Sequence, residues 1–138
     1  MYKRAITSIQ QFMLIVSVYK DLIVDKKIRH NNCEIIFKIK PSEISREYLV
    51  MFKIINNEKP KIYILKPNLH DENNKERPPH MYSLEEGQIC LFLPNEISRK
   101  DKYVKVIPWI SEWLIHYEIW KCTGVWHGRG HEFSKENL

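Results

Sequence analysis

Between residues 33 and 65 the chain carries three short apolar runs: CEIIFKI (33–39), YLVMFKII (48–55) and KIYIL (61–65). The first is followed by a turn around Pro41-Ser42-Glu43 and the second by Asn56-Asn57-Glu58-Lys59-Pro60, and the third ends at Pro67. Runs this short, rich in Ile, Val, Phe and Tyr and joined by brief polar segments, predict an antiparallel meander. Alternation within each run is imperfect, which suits a sheet covered on one face by a helix.

Two flanking segments supply helices. In residues 5–24, apolar groups recur at Ile6, Ile9, Phe12, Ile15, Val16, Val18, Tyr19 and Ile23. Steps of three and four predict a helix with a broad buried face, with Thr7 and Ser8 as early caps. Lys26, Lys27 and Arg29 suit the far end of that helix. The β-branched content leaves a strand reading open for residues 13–19, but the length favours a helix. After Pro108, WISEWLIHYEIW places Trp109, Trp113, Tyr117 and Trp120 three or four apart, which predicts a second helix with an aromatic face. Pro108 suits its first turn and Gly124 its end. Between sheet and second helix, NLHDENNKERPP (68–79) reads as an exposed loop. Gln88–Phe92 reads as a last strand or an extended segment, broken by Pro94-Asn95-Glu96. Residues 95–103 form a second charged excursion. This order is an α+β pattern, expected to form one domain over residues 1–138.

Composition narrows the function classes. Hydrophobic content of 43% and charged content of 28% fit a folded domain. The formal charge of +5 favours an acidic partner, or simply solubility. The basic residues are interleaved with Asp and Glu, so nucleic-acid binding is only weakly signalled. Three cysteines, an odd number, argue against a disulfide scaffold and for reduced thiols in the cytoplasm. No run approaches the roughly 20 apolar residues of a membrane span, and the N-terminus lacks the pattern of a signal peptide.

The stretch PPHMYSLEEGQICLF (78–92) carries the chemistry. His80, Gly87, Cys90 and Leu91 stand at the spacing HxxxxxxGxxCL. With the helix, meander and later helix, this resembles the ubiquitin-conjugating (E2) fold, whose eukaryotic members show HPNxxxxGxxCL. Met81 and Tyr82 replace the Pro and Asn of that motif. EKPKIYILKP is similar to the family's third strand and its proline-rich exit, and Trp109 lies where E2 enzymes carry a tryptophan. RPPH, and the pattern W-I-x-E-W-L…W-x-x-T-G-x-W-x-G-x-x-H, are similar to compact bacterial E2-like proteins encoded beside cyclic-oligonucleotide synthases in antiphage systems, the short type II CBASS systems. The resemblance implies an acyltransferase that takes the C-terminus of the partner synthase, a CD-NTase, as a thioester on Cys90 and passes it to an amine. It implies no cofactor.

Each candidate has a plainer reading. Free cysteines are among the most buried residues, and Ile89 and Leu91 flank Cys90, yet a thiolate at this position can attack an activated carbonyl. His80 can act as a base or can organise its own loop; the resemblance favours the structural role. Tyr82 stands where E2 enzymes carry the asparagine that steadies the oxyanion. It is assigned to the wall of the site. Asp101 is placed by the resemblance beside the cysteine, where it would orient the incoming amine. His116 is a weaker candidate base. Cys122, His127 and His131 include a ligand-like His-x3-His step, but no paired Cys-x-x-Cys accompanies it, so no metal is expected. The stretch Trp126-His127-Gly128-Arg129-Gly130-His131 either folds back near the cysteine, binds the partner, or is a tail pinned by Trp126 alone. Trp109, Trp113 and Trp120 read as packing.

Three functions stay open on the residues alone: an E2-like transferase, a non-catalytic E2 variant that presents a partner, and a small basic nucleic-acid adaptor. No G-x-x-x-x-G-K-[ST] phosphate cradle is present. The donor is therefore expected to be activated by a separate E1-like enzyme or to arrive already activated.

Overall fold

The computed structural model describes residues 4–128. Helix α1 spans Ser8–Tyr19. Thr7 starts it with a capping box: Gln10 N donates to Thr7 Oγ1 at 3.1 Å, and Thr7 N donates to Gln10 Oε1 at 3.0 Å. Two N–H groups that a bare helix end would leave without partners are thereby satisfied. Ser8, Gln11, Phe12 and Ile15 form the buried stripe. The buried Gln11 amide is satisfied at both ends, donating to Asp101 O at 2.7 Å and accepting from Tyr103 N at 2.8 Å. This ties α1 to the segment that precedes the last helix.

The helix ends at Tyr19 rather than near residue 24. A 3-10 turn at Lys20–Leu22 leads into strand β1, Ile23–Arg29. Lys26, Lys27 and Arg29 lie on this strand, not on a helix terminus. The reason is local: Ile23, Val24 and Ile28 favour extended backbone, and a tight turn at His30-Asn31 folds β1 directly onto its neighbour. His30 takes φ 57°, the left-handed backbone such turns require. β1 is the sheet edge, and its exposed lysines protect that edge from pairing with another chain.

Strands β2 (Asn32–Ile39), β3 (Tyr48–Ile54) and β4 (Lys61–Lys66) continue the meander. The run expected as the third strand is thus the fourth. A one-turn helix, α2 (Leu69–Glu72), interrupts the expected 68–79 loop; the Asn68 side chain accepts from Asp71 N at 3.0 Å to cap it. Strand β5 (Met81–Ser83) and strand β6 (Gln88–Ile89) follow. The six strands order as β1-β2-β3-β4-β6-β5, and every pairing is antiparallel.

Burial alternates more strictly than the sequence does. Cys33, Ile35, Phe37 and Ile39 on β2, Tyr48, Val50, Phe52 and Ile54 on β3, and Ile62 and Ile64 on β4 enter the core. Their neighbours Ile36, Met51 and Tyr63, on the opposite face, are half-buried. Apolar groups on both faces are what blur the period-two pattern. Helix α3 (Ile107–Thr123) carries Pro108 in its first turn, and Gly124, at φ 79°, closes it by donating its N–H to Trp120 O at 2.7 Å. Its Ile107, Ile110, Trp113, Leu114 and Tyr117 join the same core as α1 and the sheet. The expected α+β order of helix, meander, active-site segment and helix is therefore present, with one more strand in the meander and a two-strand addition.

Candidate active site

Cys90 follows the last residue of β6, where the chain leaves the sheet. Its position is fixed through its backbone. Cys90 N donates to His80 O at 2.8 Å, and Trp113 Nε1 on α3 donates to the same oxygen at 3.2 Å. One carbonyl thus joins the turn, the cysteine and the last helix. His80 offers that carbonyl because it adopts φ 60°, a left-handed conformation that non-glycine residues rarely take. Its imidazole packs against the Trp126 ring, with centroids 5.2 Å apart. His80 thus meets the cysteine through its backbone carbonyl and the tail through its ring.

Gly87 is required by contact as well as by conformation. It sits at φ 76°, and a Cβ there would lie 2.5 Å from Ile64 O. The close approach lets Ile64 N donate to Gly87 O at 2.8 Å, which locks the return strand against β4. The register then continues: Tyr63 faces Gln88 and Ile62 faces Ile89, so Lys61 and Cys90 are the next residues beyond the last pair.

The thiol is half-buried. Burial pushes its pKa above the ordinary thiol value. A hydrogen bond from Tyr82 and one from the Phe92 backbone oppose that rise by favouring the thiolate, and the Glu96 carboxylate adds to it. As a thiol, Cys90 Sγ donates to Phe92 O at 3.6 Å. The partner effect is visible on Tyr82, whose phenol is pushed up to about 12, chiefly by its hydrogen bond to Cys90. Tyr82 itself is 58% exposed. Cys33 is buried, and Cys122 is exposed on the last turn of α3. A groove of about 380 Å³ adjoins the site, lined among others by Tyr82, Lys61, Leu91, Phe92 and Pro94.

Asp101 is held in a loop of its own. Its carboxylate accepts from Ser98 N at 2.8 Å and lies 3.6 Å from Lys105 Nζ. The Ser98 backbone N–H, with help from Lys105, holds the carboxyl below its usual range. His116 packs against Trp126, with centroids 6.0 Å apart, and Trp126 also meets Trp113 at 5.3 Å. The start of the tail therefore folds back onto the His80 turn. His127 is exposed; Arg129, Gly130 and His131 lie outside the described residues. Among the described residues, no three His, Cys, Asp or Glu side chains converge as a metal site.

The sequence reading missed two contributors. Trp113 had been assigned to packing alone, yet its indole N–H shares the His80 carbonyl with Cys90. Lys61 shares a groove with Ile89 and Leu91, which only the β4–β6 pairing brings about. Neither carries a local sequence signal.

The family model described as "Type II CBASS E2 protein" matches residues 11–133, nearly the whole chain, from within α1 through the sheet and the Cys90 turn to beyond α3. The chain belongs to the type II CBASS E2 protein family. Among individually curated proteins none matches it. The α+β architecture, with helices flanking an antiparallel sheet, agrees with the E2 fold of that family. Membership gives this E2 protein a conjugating, transferase-type role in CBASS antiphage defence, where such E2 proteins generally act with CD-NTase-like synthases. No helix among its described residues is long and apolar enough to cross a membrane.

Proposed function

We propose that Cys90 carries the C-terminal acyl group of a partner cyclic-oligonucleotide synthase as a thioester and passes it to an amine. The observation that supports this reading is a half-buried thiol fixed by the bond of Cys90 N to His80 O, flanked by Ile89 and Leu91 on a groove that Tyr82 also lines. The Cys90 thiolate attacks the donor carbonyl, already activated by a separate E1-like enzyme or an equivalent reagent. A C–S bond forms and the activating group leaves. An amine then attacks the thioester carbon, an amide C–N bond forms, the thiolate departs and the amine loses a proton.

Tyr82 serves both steps as a hydrogen-bond donor. It favours the attacking and departing thiolate, and it is within reach of the oxyanion that develops on the acyl carbon. His80 acts through its carbonyl and positions Cys90. Asp101, ionised at neutral pH because Ser98 and Lys105 hold its carboxyl low, supplies negative charge to attract the incoming ammonium. No cofactor takes part in this scheme.

Native alkylation with iodoacetamide, mapped by peptide mass, tests the accessibility that the scheme needs. Cys90 is expected to be modified, Cys122 to serve as the exposed reference and Cys33 to be protected. Alkylated protein should form no conjugate, whereas a Cys122→Ser variant should conjugate normally. A Cys90 as inert as Cys33 would instead make this chain a non-catalytic module that presents a partner.

A further inference from the structure

The register of the sheet assembles charges that are scattered in the sequence. Lys27 on β1 faces Glu34 on β2, Glu34 faces Lys53 on β3, and Lys53 faces Lys61 on β4. Directly opposed residues of antiparallel strands point to one face. All four belong to the face opposite the core, since Cys33, Ile54 and Ile62, their chain neighbours, are buried. With strands about 4.8 Å apart, the row crosses roughly 14 Å of surface. One row further, Arg29 faces Asn32.

Two hollows open along this row. One, of about 280 Å³, is lined by Lys27, Arg29, His30, Asn32, Glu34 and Lys53. The other is the groove beside Cys90, which includes Lys61 and Lys59. Because Lys53 and Lys61 are register partners, the hollows are neighbours, and the second is lined by Ile89 and Leu91, the residues on either side of Cys90. The two carboxylates are already engaged: Glu34 lies 3.7 Å from Lys27, and Glu58 lies 3.6 Å from Lys61. Arg29 and Lys53 form no salt bridge among the described residues.

We infer that this outer face is a docking track for an acidic, extended polypeptide segment, the tail of the donor that is loaded on Cys90. The inference rests on the reading of Cys90 as the acceptor of that tail. Charge selects the occupant: basic side chains outnumber acidic ones along the track, and the cations without a carboxylate partner among the described residues, Arg29 and Lys53 (the latter 5.9 Å from the Tyr63 ring centroid), lie away from the cysteine. Continuity gives its direction, because a chain whose last carbonyl reaches Cys90 runs over Lys61 and then Lys53. At about 3.3 Å per extended residue, four or five residues cross the row. A nucleic acid fits less well. Glu34 and Glu58 would lie against its phosphates, while the exposed Tyr82 and Pro94 on the groove offer apolar surface to a peptide's side chains.

Fluorescence anisotropy of a fluorescein-labelled peptide of alternating Glu and Gly, titrated with the full chain at low salt, tests the track. Binding is expected, weakened by added salt and absent for the matching Lys-Gly peptide. An Arg29→Glu, Lys53→Glu double variant should weaken it by about tenfold. A Lys53→Gln variant, which keeps the bulk and removes one charge, should weaken it by about threefold and covers the case in which the double variant fails to fold. Cys90→Ser should bind as the parent does, so this readout does not depend on thioester chemistry. Failure of the acidic peptide to bind, unchanged affinity in the variants, or tighter binding of a single-stranded oligothymidine would overturn the track, even if Cys90 forms its adduct. Salt-sensitive peptide binding without any Cys90 adduct would uphold the track and remove only the thioester reading.

Discussion

The contact between Tyr82 and Cys90 decides how reactive the thiol is. Burial favours the neutral thiol, and the Tyr82 hydroxyl favours the thiolate. The net effect is a raised Cys90 pKa, so the thiolate fraction is small at neutral pH and increases as pH rises through the folded value. Cys90 alkylation should therefore be slower than that of Cys122 near neutrality and should climb at alkaline pH. Tyr82→Phe removes the opposing hydrogen bond and should lower the Cys90 rate at neutral pH by about fivefold, a hydrogen bond to a charged group being discounted here for solvent exposure. An unchanged rate in that variant would show that the hydroxyl does not act on the sulfur. Gly87 is the other critical residue. Gly87→Ala must relieve a 2.5 Å approach to Ile64 O and a left-handed φ, and should cost roughly 2–4 kcal/mol of stability by thermal unfolding. The spacing of His80, Gly87 and Cys90 was legible in the chain. The Tyr82 hydroxyl bond was not, because Tyr82 replaces the residue whose geometry the E2 motif specifies.

Secondary-structure elements differ in how openly the sequence declares them. Helix α3 is announced at both ends by Pro108 and Gly124 and along its length by aromatic spacing. Helix α1 is announced by Thr7 and by apolar steps of three and four, but its end is concealed. Val16, Tyr19 and Ile23 continue the helical steps across the turn at Lys20–Leu22, while the basic residues beyond imitate a helix C-terminus. Pairing with β2 decides the matter, and that pairing depends on a left-handed His30 that no periodicity reveals. Strand β5 is too short to show a pattern. The link between α3 and the active-site turn joins residues 33 positions apart and is likewise invisible in sequence. It has a measurable consequence. Trp113→Phe keeps the aromatic packing but removes the donor to His80 O, and should cost about 1 kcal/mol in chemical denaturation. The same variant should slow acyl loading of Cys90, since His80 O then holds the cysteine turn without its tie to the helix. Full loading speed in a stable Trp113→Phe protein would separate α3 from the site.

At the scale of the whole molecule, one polar network clamps α3 to the rest. Glu118 accepts from Ser45 Oγ at 2.8 Å and from Tyr48 OH at 2.7 Å. Glu72 on α2 accepts from Tyr117 OH, pairs with Arg46 at 2.6 Å and lies 3.2 Å from Lys121. Burial alone would raise the Glu72 carboxyl, but hydrogen bonds from Tyr117, Arg46 and Lys121 together hold it below its ordinary range. A carboxyl depressed in the folded state stabilises the fold above its unfolded value, and that stability is lost as pH falls through the folded value. Acid should therefore destabilise the protein from about pH 5 downward, with Glu72 among the groups responsible. Glu72→Gln should flatten that part of the pH profile and lower stability at neutral pH; a profile identical to the parent's would place the acid sensitivity elsewhere. The central claim remains the acyl thioester on Cys90. Its most direct test is the intact mass of this protein co-expressed with its partner synthase and any E1-like activator, with and without thiol reductant. The expected result is an adduct of the two chains that reductant releases and that Cys90→Ala lacks. A reducible adduct that persists in Cys90→Ala, or that maps to Cys33 or Cys122, would contradict it.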